Sequence, residues 1–353
     1  MRVGIVSATV FPVPPPGYSG LEHLAWLTAK GLAEAGHEVI LYAPDGSTCP
    51  GVQVFHFGPA GQIDEKTAYS KYWGTLAQLD VIVDESWEKW TDVGKQEGWL
   101  KCPVLAVMHA PINTMINALP PPGRLSFVLI SEDQRAHFEG LHGRKARACY
   151  NGVDPDFYQA IQGVKRTDRF LFLARFSSIK GPDLAIRACL DAGVGLDLVG
   201  DTQITNEPNY LKECTQLAKK QSPEWDKSKG KQIRIHGNMT RAECVWWYSQ
   251  AHCMIHPNER FREPFGLAPV EAMACGVPVI AWDNGAMRET IVHNDTGLLV
   301  NSFDMLASAV QFMSVRGVNM NREGCREQAL KFTVRRMIAR YEELCEEAIR
   351  SPW

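Results

Sequence analysis

Short apolar runs of four to seven residues recur along the chain, and longer stretches of mixed apolar and polar positions separate them. In the first half the runs fall at 2–7, 37–43, 52–57, 80–84, 103–108 and 127–130. In the second half they fall at 170–174, 196–200, 233–236, 253–256 and 277–281. Each is apolar without strict alternation and is bounded by polar residues, as in strands of a parallel sheet covered on both faces. Between the runs, the pattern predicts helices over about 20–35, 67–79, 302–315 and 322–332. A long amphipathic helix rich in Arg and Glu follows over 333–349. Ser19 with Glu22 and Thr240 with Glu243 fit capping boxes, and Ser131 with Gln134 caps a further short helix. Alternation of this kind predicts an α/β protein.

The richest stretch is 256–282, HPNERFREPFGLAPVEAMACGVPVIAW. A strand ends at His256, and the polar loop after it ends at Glu263 and Pro264. Phe265, Gly266 and Leu267 then open a helix running to about Cys275, which Gly276 and Pro278 close. A helix start offers unpaired amides and the positive end of its dipole, a seat for phosphate. Gly266 lets a ligand approach the backbone closely. Glu263 lies in the loop and Glu271 inside the helix, so the two acids do not share a helix face. Both are of a type that accepts hydrogen bonds from sugar or ribose hydroxyls.

Other candidates stand at the ends of the apolar runs. Arg175 and Lys180 flank a turn after 170–174 and can both reach one diphosphate, Arg as a fork and Lys as a point charge. His109 directly follows the run at 103–108, at the carboxyl end of a strand, where ligands of open α/β sheets gather. The first run leads into a Pro-rich loop that ends in Gly17-Tyr18-Ser19-Gly20. The fingerprint G-x-G-x-x-G is absent there, which argues against a dinucleotide oxidoreductase.

A chain of 353 residues suits two domains rather than one core. Hydrophobic residues make up 45% and charged residues 22%, an ordinary globular composition. The net charge of −3 gives no general drive toward nucleic acid or anionic membrane. No apolar run approaches the ~20 residues that span a bilayer. Ten cysteines without a C-x-x-C pair, and a start without a signal-peptide cleavage pattern, point to a reduced cytoplasmic protein. The segment 219–234 carries six basic residues against two acidic and reads as a solvated loop and helix end.

The pattern E-P-F-G-L-x-x-x-E-A-M-A-x-G-x-P-V-I-A over 263–281 resembles the donor-site motif of retaining family-4 glycosyltransferases, the glycogen synthase and mannosyltransferase relatives with the GT-B fold. The turn Asn151-Gly152-Val153-Asp154-Pro155 resembles that family's interdomain crossing, and R-x-x-x-x-K-G at 175–181 its diphosphate clamp. The resemblance spans the whole chain, strongly in the second half and loosely in the first. It implies two Rossmann-like parallel-sheet domains facing across a cleft, over 1–153 and 154–332, with a helix at 333–353 packing back on the first. A nucleotide-diphosphate sugar, UDP- or GDP-linked, would be the donor, with no further cofactor and no metal. Arg175 and Lys180 would neutralise the leaving diphosphate, with the backbone of Phe265, Gly266 and Leu267. Glu263 would position the sugar, His109 a sugar hydroxyl and Glu271 the ribose. Gly237 and Asn238 would meet the base, and Gly17 and Gly20 would close on the diphosphate. Arg175 and Lys180, as loop cations, are expected to contribute little to stability. The acceptor stays open among glycan, lipid, small molecule and nucleic acid. An epimerase or hydrolase on the same fold, or a silent nucleotide-sugar-binding subunit, are the competing readings.

Overall fold

The computed structural model describes residues 1–112, 121, 123–202, 205, 207–219, 232–315 and 320–353. Its chain divides into two compact units, one of Met1–Gly152 with Thr333–Trp353 and one of Val153–Phe332. Most of the basic segment 219–234 lies outside the described residues.

The first unit is built on a seven-stranded parallel sheet. Its strands are β1 (Arg2–Val6), β2 (Glu38–Ala43), β3 (Gln53–His56), β4 (Val81–Asp84), β5 (Val104–Met108), β6 (Ser126–Leu129) and β7 (Arg147–Ala148). They lie in the order β3-β2-β1-β4-β5-β6-β7. β1 therefore pairs with β2 on one side (Val3 beside Val39) and with β4 on the other (Val3 beside Val81). The direction of winding reverses between β1 and β4, the crevice where doubly wound sheets take their ligands. The second unit carries β8 (Phe170–Leu173), β9 (Leu196–Val199), β10 (Ile233–His236), β11 (Cys253–His256), β12 (Val279–Trp282) and β13 (Gly297–Val300). Their order, β10-β9-β8-β11-β12-β13, reverses in the same way between β8 and β11.

Continuous apolar strands need cover on both faces, and helices supply it. In the first unit Ile82, Val104, Ala106, Met108 and Phe127 are buried against Tyr69, Tyr72 and Phe138 from flanking helices. In the second, Phe170, Phe172, Leu198 and Ile255 pack with Ile186, Leu306 and Val310. The final helix, Val334–Arg350, buries Met337, Ile338, Tyr341, Leu344, Cys345 and Ala348 at three- and four-residue spacing. It belongs to the first unit, where Glu342 meets His37 at 3.0 Å and Glu347 meets Arg147 at 2.5 Å. Among the described residues no helix is long and apolar enough to cross a membrane. All ten cysteines are free.

The helix ends are set by local chemistry. Thr240 and Glu243 form the reciprocal capping box of Arg241–Gln250, and Ser131 accepts from the Gln134 amide at the start of Glu132–His142. The box expected at Ser19 does not form. The Ser19 hydroxyl donates to the Glu22 carboxylate, and no side chain caps Gly20–Glu34. The helix expected over 67–79 starts earlier, at Glu65, because Asp64 accepts from the Thr67 amide at 2.8 Å. It ends at Tyr72 and continues as a 3₁₀ turn, Trp73–Gln78, around the weak helix former Gly74.

Candidate active site

In the second unit the residues of the central stretch gather on one carboxylate. β11 ends at His256, and the loop after it carries Asn258 and Glu263. Glu263 Oε2 accepts from Lys180 Nζ at 2.7 Å and Asn258 Nδ2 at 3.2 Å, and lies 3.2 Å from His256 Nε2. Burial alone would raise the Glu263 carboxyl, but the Lys180 ammonium and His256 hold it well below the usual carboxylate range. Lys180 is no solvated loop cation, since its side chain is only 15% exposed. It also stands 4.3 Å above the centre of the Phe261 ring. The expectation that it contributes little to stability therefore does not hold, because a buried carboxylate depends on it.

Two glycines let this loop close. Gly285 has φ +62, and a Cβ on it would lie 2.1 Å from the Glu263 carbonyl oxygen. That carbonyl accepts from the Ala286 amide at 2.9 Å, so the two loops touch backbone to backbone. Gly266 caps the helix Leu267–Ala274 in the left-handed region, φ +85. The helix thus starts at Leu267, two residues later than expected. Phe265 is buried, its ring 5.6 Å from that of Phe332, which leaves only its backbone for a ligand.

Glu271 sits in a polar knot of its own. Tyr158 donates to it at 2.9 Å, Tyr248 at 3.0 Å and Arg241 at 2.9 Å, and the residue is 1% exposed. Burial and the adjoining Glu271 carboxylate push the Tyr158 hydroxyl well above the ordinary tyrosine value. Arg175 follows β8 and is exposed, while its carbonyl accepts from Ser177. Gly237 and Asn238 follow β10. The Asn238 side chain accepts from the Met239 amide at 3.0 Å and so helps shape the turn into the next helix. Asp154-Pro155-Asp156 is an Asp-x-Asp spacing, and it works as a turn: Asp154 accepts from the amides of Asp156 and Phe157 at 2.9 and 3.3 Å. Among the described residues, no three His, Cys, Asp or Glu gather as a metal site.

The first unit holds Gly17, Gly20 and His109. Gly17 lies in the loop after β1, and Gly20 is the first residue of Gly20–Glu34. His109 follows β5, where Gln134 fixes the backbone on both sides of it. The Gln134 amide donates to the carbonyls of Met108 at 3.1 Å and Ala110 at 2.9 Å. Its carbonyl accepts from Ile130 at 2.8 Å. His109 Nε2 faces Glu85 Oε2 at 3.5 Å.

Sequence reasoning did not find Glu85, Gln134 as the anchor of His109, His256, Asn258, or the Tyr158–Tyr248–Arg241 set. The partners of Glu85, Gln134 and the Tyr158–Tyr248–Arg241 set lie tens of residues away, and only the folded sheets bring them together. Asn258 and His256 carried one usable signal, their place at a strand end next to Glu263.

Residues 156–329 match the family model described as glycosyl transferases group 1. A D-inositol 3-phosphate glycosyltransferase of Xylanimonas cellulosilytica is 25% identical over 370 aligned positions, covering 87% of this chain and 86% of that protein. One from Catenulispora acidiphila is 26% identical over 369 positions, covering 86% and 84%. Among solved structures, sucrose-phosphate synthase from Thermosynechococcus elongatus aligns with a TM-score of 0.79 at 18% identity, over 99% of both chains. Anabaena HepE in complex with UDP aligns at 0.78 and 20% identity, over 98% of this chain and 100% of that one. The chain is a glycosyltransferase of the GT-B fold, and its second unit is a group 1 glycosyltransferase domain.

Proposed function

We propose that this glycosyltransferase moves a sugar from a uridine diphosphate sugar to a hydroxyl acceptor with retention at the anomeric carbon, without a metal ion. The observation that carries the reading is the cluster of Lys180, His256 and Asn258 on Glu263, in the loop that leads to a helix start without a side-chain cap. A cation oriented by a buried carboxylate is a fixed charge, and fixed charges stabilise a departing anion most in a site that excludes water. Lys180, Arg175 and the backbone of Phe265, Gly266 and Leu267 receive the diphosphate. Glu263 holds the sugar, and Glu271 the ribose. Gly237 and Asn238 border the base. Uridine is favoured over guanosine because the HepE structure similar to this chain contains UDP.

The bond from the anomeric carbon to the diphosphate oxygen breaks as a bond to the acceptor oxygen forms on the same face. The acceptor proton passes to the departing diphosphate. Thermal denaturation with UDP and GDP, followed by a panel of UDP-sugars, tests the donor. Stabilisation by UDP over GDP is the expected result, and the reverse order overturns the uridine assignment. NMR of the product reports the anomeric configuration, and inversion there would remove the retaining mechanism.

A further inference from the structure

Among the described residues, one buried carboxylate of the first unit has no hydrogen-bond donor. Glu85 follows β4 directly, beside the crevice where the sheet reverses between β1 and β4. It is 1% exposed, and neither of its side-chain oxygens has a hydrogen-bond partner among the described residues. The neighbouring acids differ. Asp84 accepts from the Ser86 amide at 3.0 Å and from the hydroxyls of Ser86 and Thr91. Glu65 accepts from the amides of Trp87 at 2.7 Å and Glu88 at 2.5 Å. Lys89, the buried cation of this loop, donates to the Ser86 carbonyl and lies 3.9 Å from Asp84. Among the described residues two of the three acids are thus satisfied, and Glu85 is left without a hydrogen-bond donor. A bare buried carboxylate is costly and persists where a ligand supplies the missing donors.

A second group points into the same space. His109 Nε2 is buried, has no hydrogen-bond partner among the described residues, and stands 3.5 Å from Glu85 Oε2, a distance of ion-pair contact without a hydrogen bond. Glu22, 2% exposed at the start of Gly20–Glu34, is within electrostatic reach of His109. Glu85 and His109 directly follow β4 and β5, neighbours in the sheet, and Glu22 lies in the first turn of the helix Gly20–Glu34.

We infer that Glu85, with Glu22 and His109 beside it, reads the hydroxyl hydrogens of a neutral polyol, the accepting ring of the transfer, and rejects an acceptor that carries phosphate at this end. The inference rests on the glycosyltransferase reading and adds the acceptor class. Hydroxyls donate to a carboxylate, whereas a phosphate would set like charge against Glu85 and Glu22. A site with buried acceptors discriminates strongly, since a ligand without matching donors leaves them unpaired. The relatives named for D-inositol 3-phosphate therefore part from this chain at the acceptor.

Calorimetry on the full chain loaded with UDP provides the test, with myo-inositol and glucose as neutral probes against D-inositol 3-phosphate and glucose 6-phosphate. The neutral probe of each pair is expected to bind at least roughly tenfold tighter, as for an avoided like-charge contact. Glu85→Gln keeps shape and removes the charge, and it is expected to narrow that ratio by roughly tenfold. A purely structural role would weaken both probes equally and leave the ratio unchanged. Glu22→Gln, read by the same ratio, is the second variant should Glu85→Gln fail to fold. Equal or tighter binding of a phosphorylated probe, an unchanged ratio in the variant, or no binding by either neutral probe overturns the inference. UDP loading in the same experiment tests the donor reading separately. A protein that takes up UDP but prefers the phosphates keeps that reading and loses this one.

Discussion

At the residue scale, the two cations of the diphosphate clamp separate activity from stability. If both act on the leaving group, Arg175→Ala and Lys180→Ala each lower kcat/KM by roughly 100-fold or more, as for lost charge stabilisation. Their stabilities diverge. Arg175 is exposed, so its loss is worth less than about 0.5 kcal/mol. Lys180 neutralises buried Glu263, so its loss costs about 3 kcal/mol in urea denaturation at pH 7. Near-normal turnover in either variant removes that residue from the site. The same pair sets a pH dependence. The Glu263 carboxyl is held below its ordinary value of 4.5, so its contribution is complete above that pH and is lost as pH falls toward the folded value. Below pH 4.5 the unfolded chain binds a proton that the native chain refuses, and stability must fall with pH. Lys180→Met removes the main cause of the lowered value and should flatten this acid limb. Parallel slopes for the two proteins between pH 5 and 3 would show that Lys180 does not set the Glu263 charge. Chelation separates another possibility. EDTA should leave turnover largely intact, and full loss restored by Mn²⁺ or Mg²⁺ would mean that an ion shares the diphosphate charge.

At the scale of elements, the loop that carries Glu263 is held by backbone contact with a neighbouring turn. A methyl at Gly285 would collide with the Glu263 carbonyl and force a residue with a side chain into φ +62. Gly285→Ala should cost about 3 kcal/mol, the sum of strain and overpacking. It should also lower kcat/KM by roughly tenfold or more, because shifting Glu263 by a fraction of an ångström misaligns what it holds. Normal activity in a destabilised Gly285→Ala protein would detach the Glu263 loop from catalysis. The strands were legible from the chain because buried parallel strands are simply apolar: residues 80–84, 103–108 and 253–256 bracket β4, β5 and β11 closely. Helix ends were legible only where the cap lies next in the chain, as at Thr240 and Ser131. At Ser19 the hydroxyl donates to the Glu22 carboxylate and accepts from no helix amide, so the box does not form. Site residues within the motif were legible by type, but their partners were not. Nothing near Glu271 in sequence announces Tyr158, 113 positions away.

At the scale of the whole molecule, each unit has its own sheet, its own apolar core and its own reversal of strand order, so each has a crevice ready for a ligand. The donor residues proposed here fall almost wholly in Val153–Phe332, and the acceptor residues in the unit formed by Met1–Gly152 and Thr333–Trp353. The two ligands should therefore protect different parts of the chain. Hydrogen exchange on the full protein, with UDP alone and then with UDP plus myo-inositol, measures this. UDP at 100 times its Kd stabilises the form it binds by about 2.7 kcal/mol, enough to slow local opening roughly a hundredfold. Slowing is expected in the amides of 175–181, 237–239 and 263–271. Adding myo-inositol should extend it to 84–89 and 107–110, around Glu85 and His109. Protection of 84–89 by UDP alone, with 263–271 unaffected, would reverse the assignment of ligands to units. Protection of 263–271 without any later change around Glu85 would leave the donor site standing and place the acceptor elsewhere.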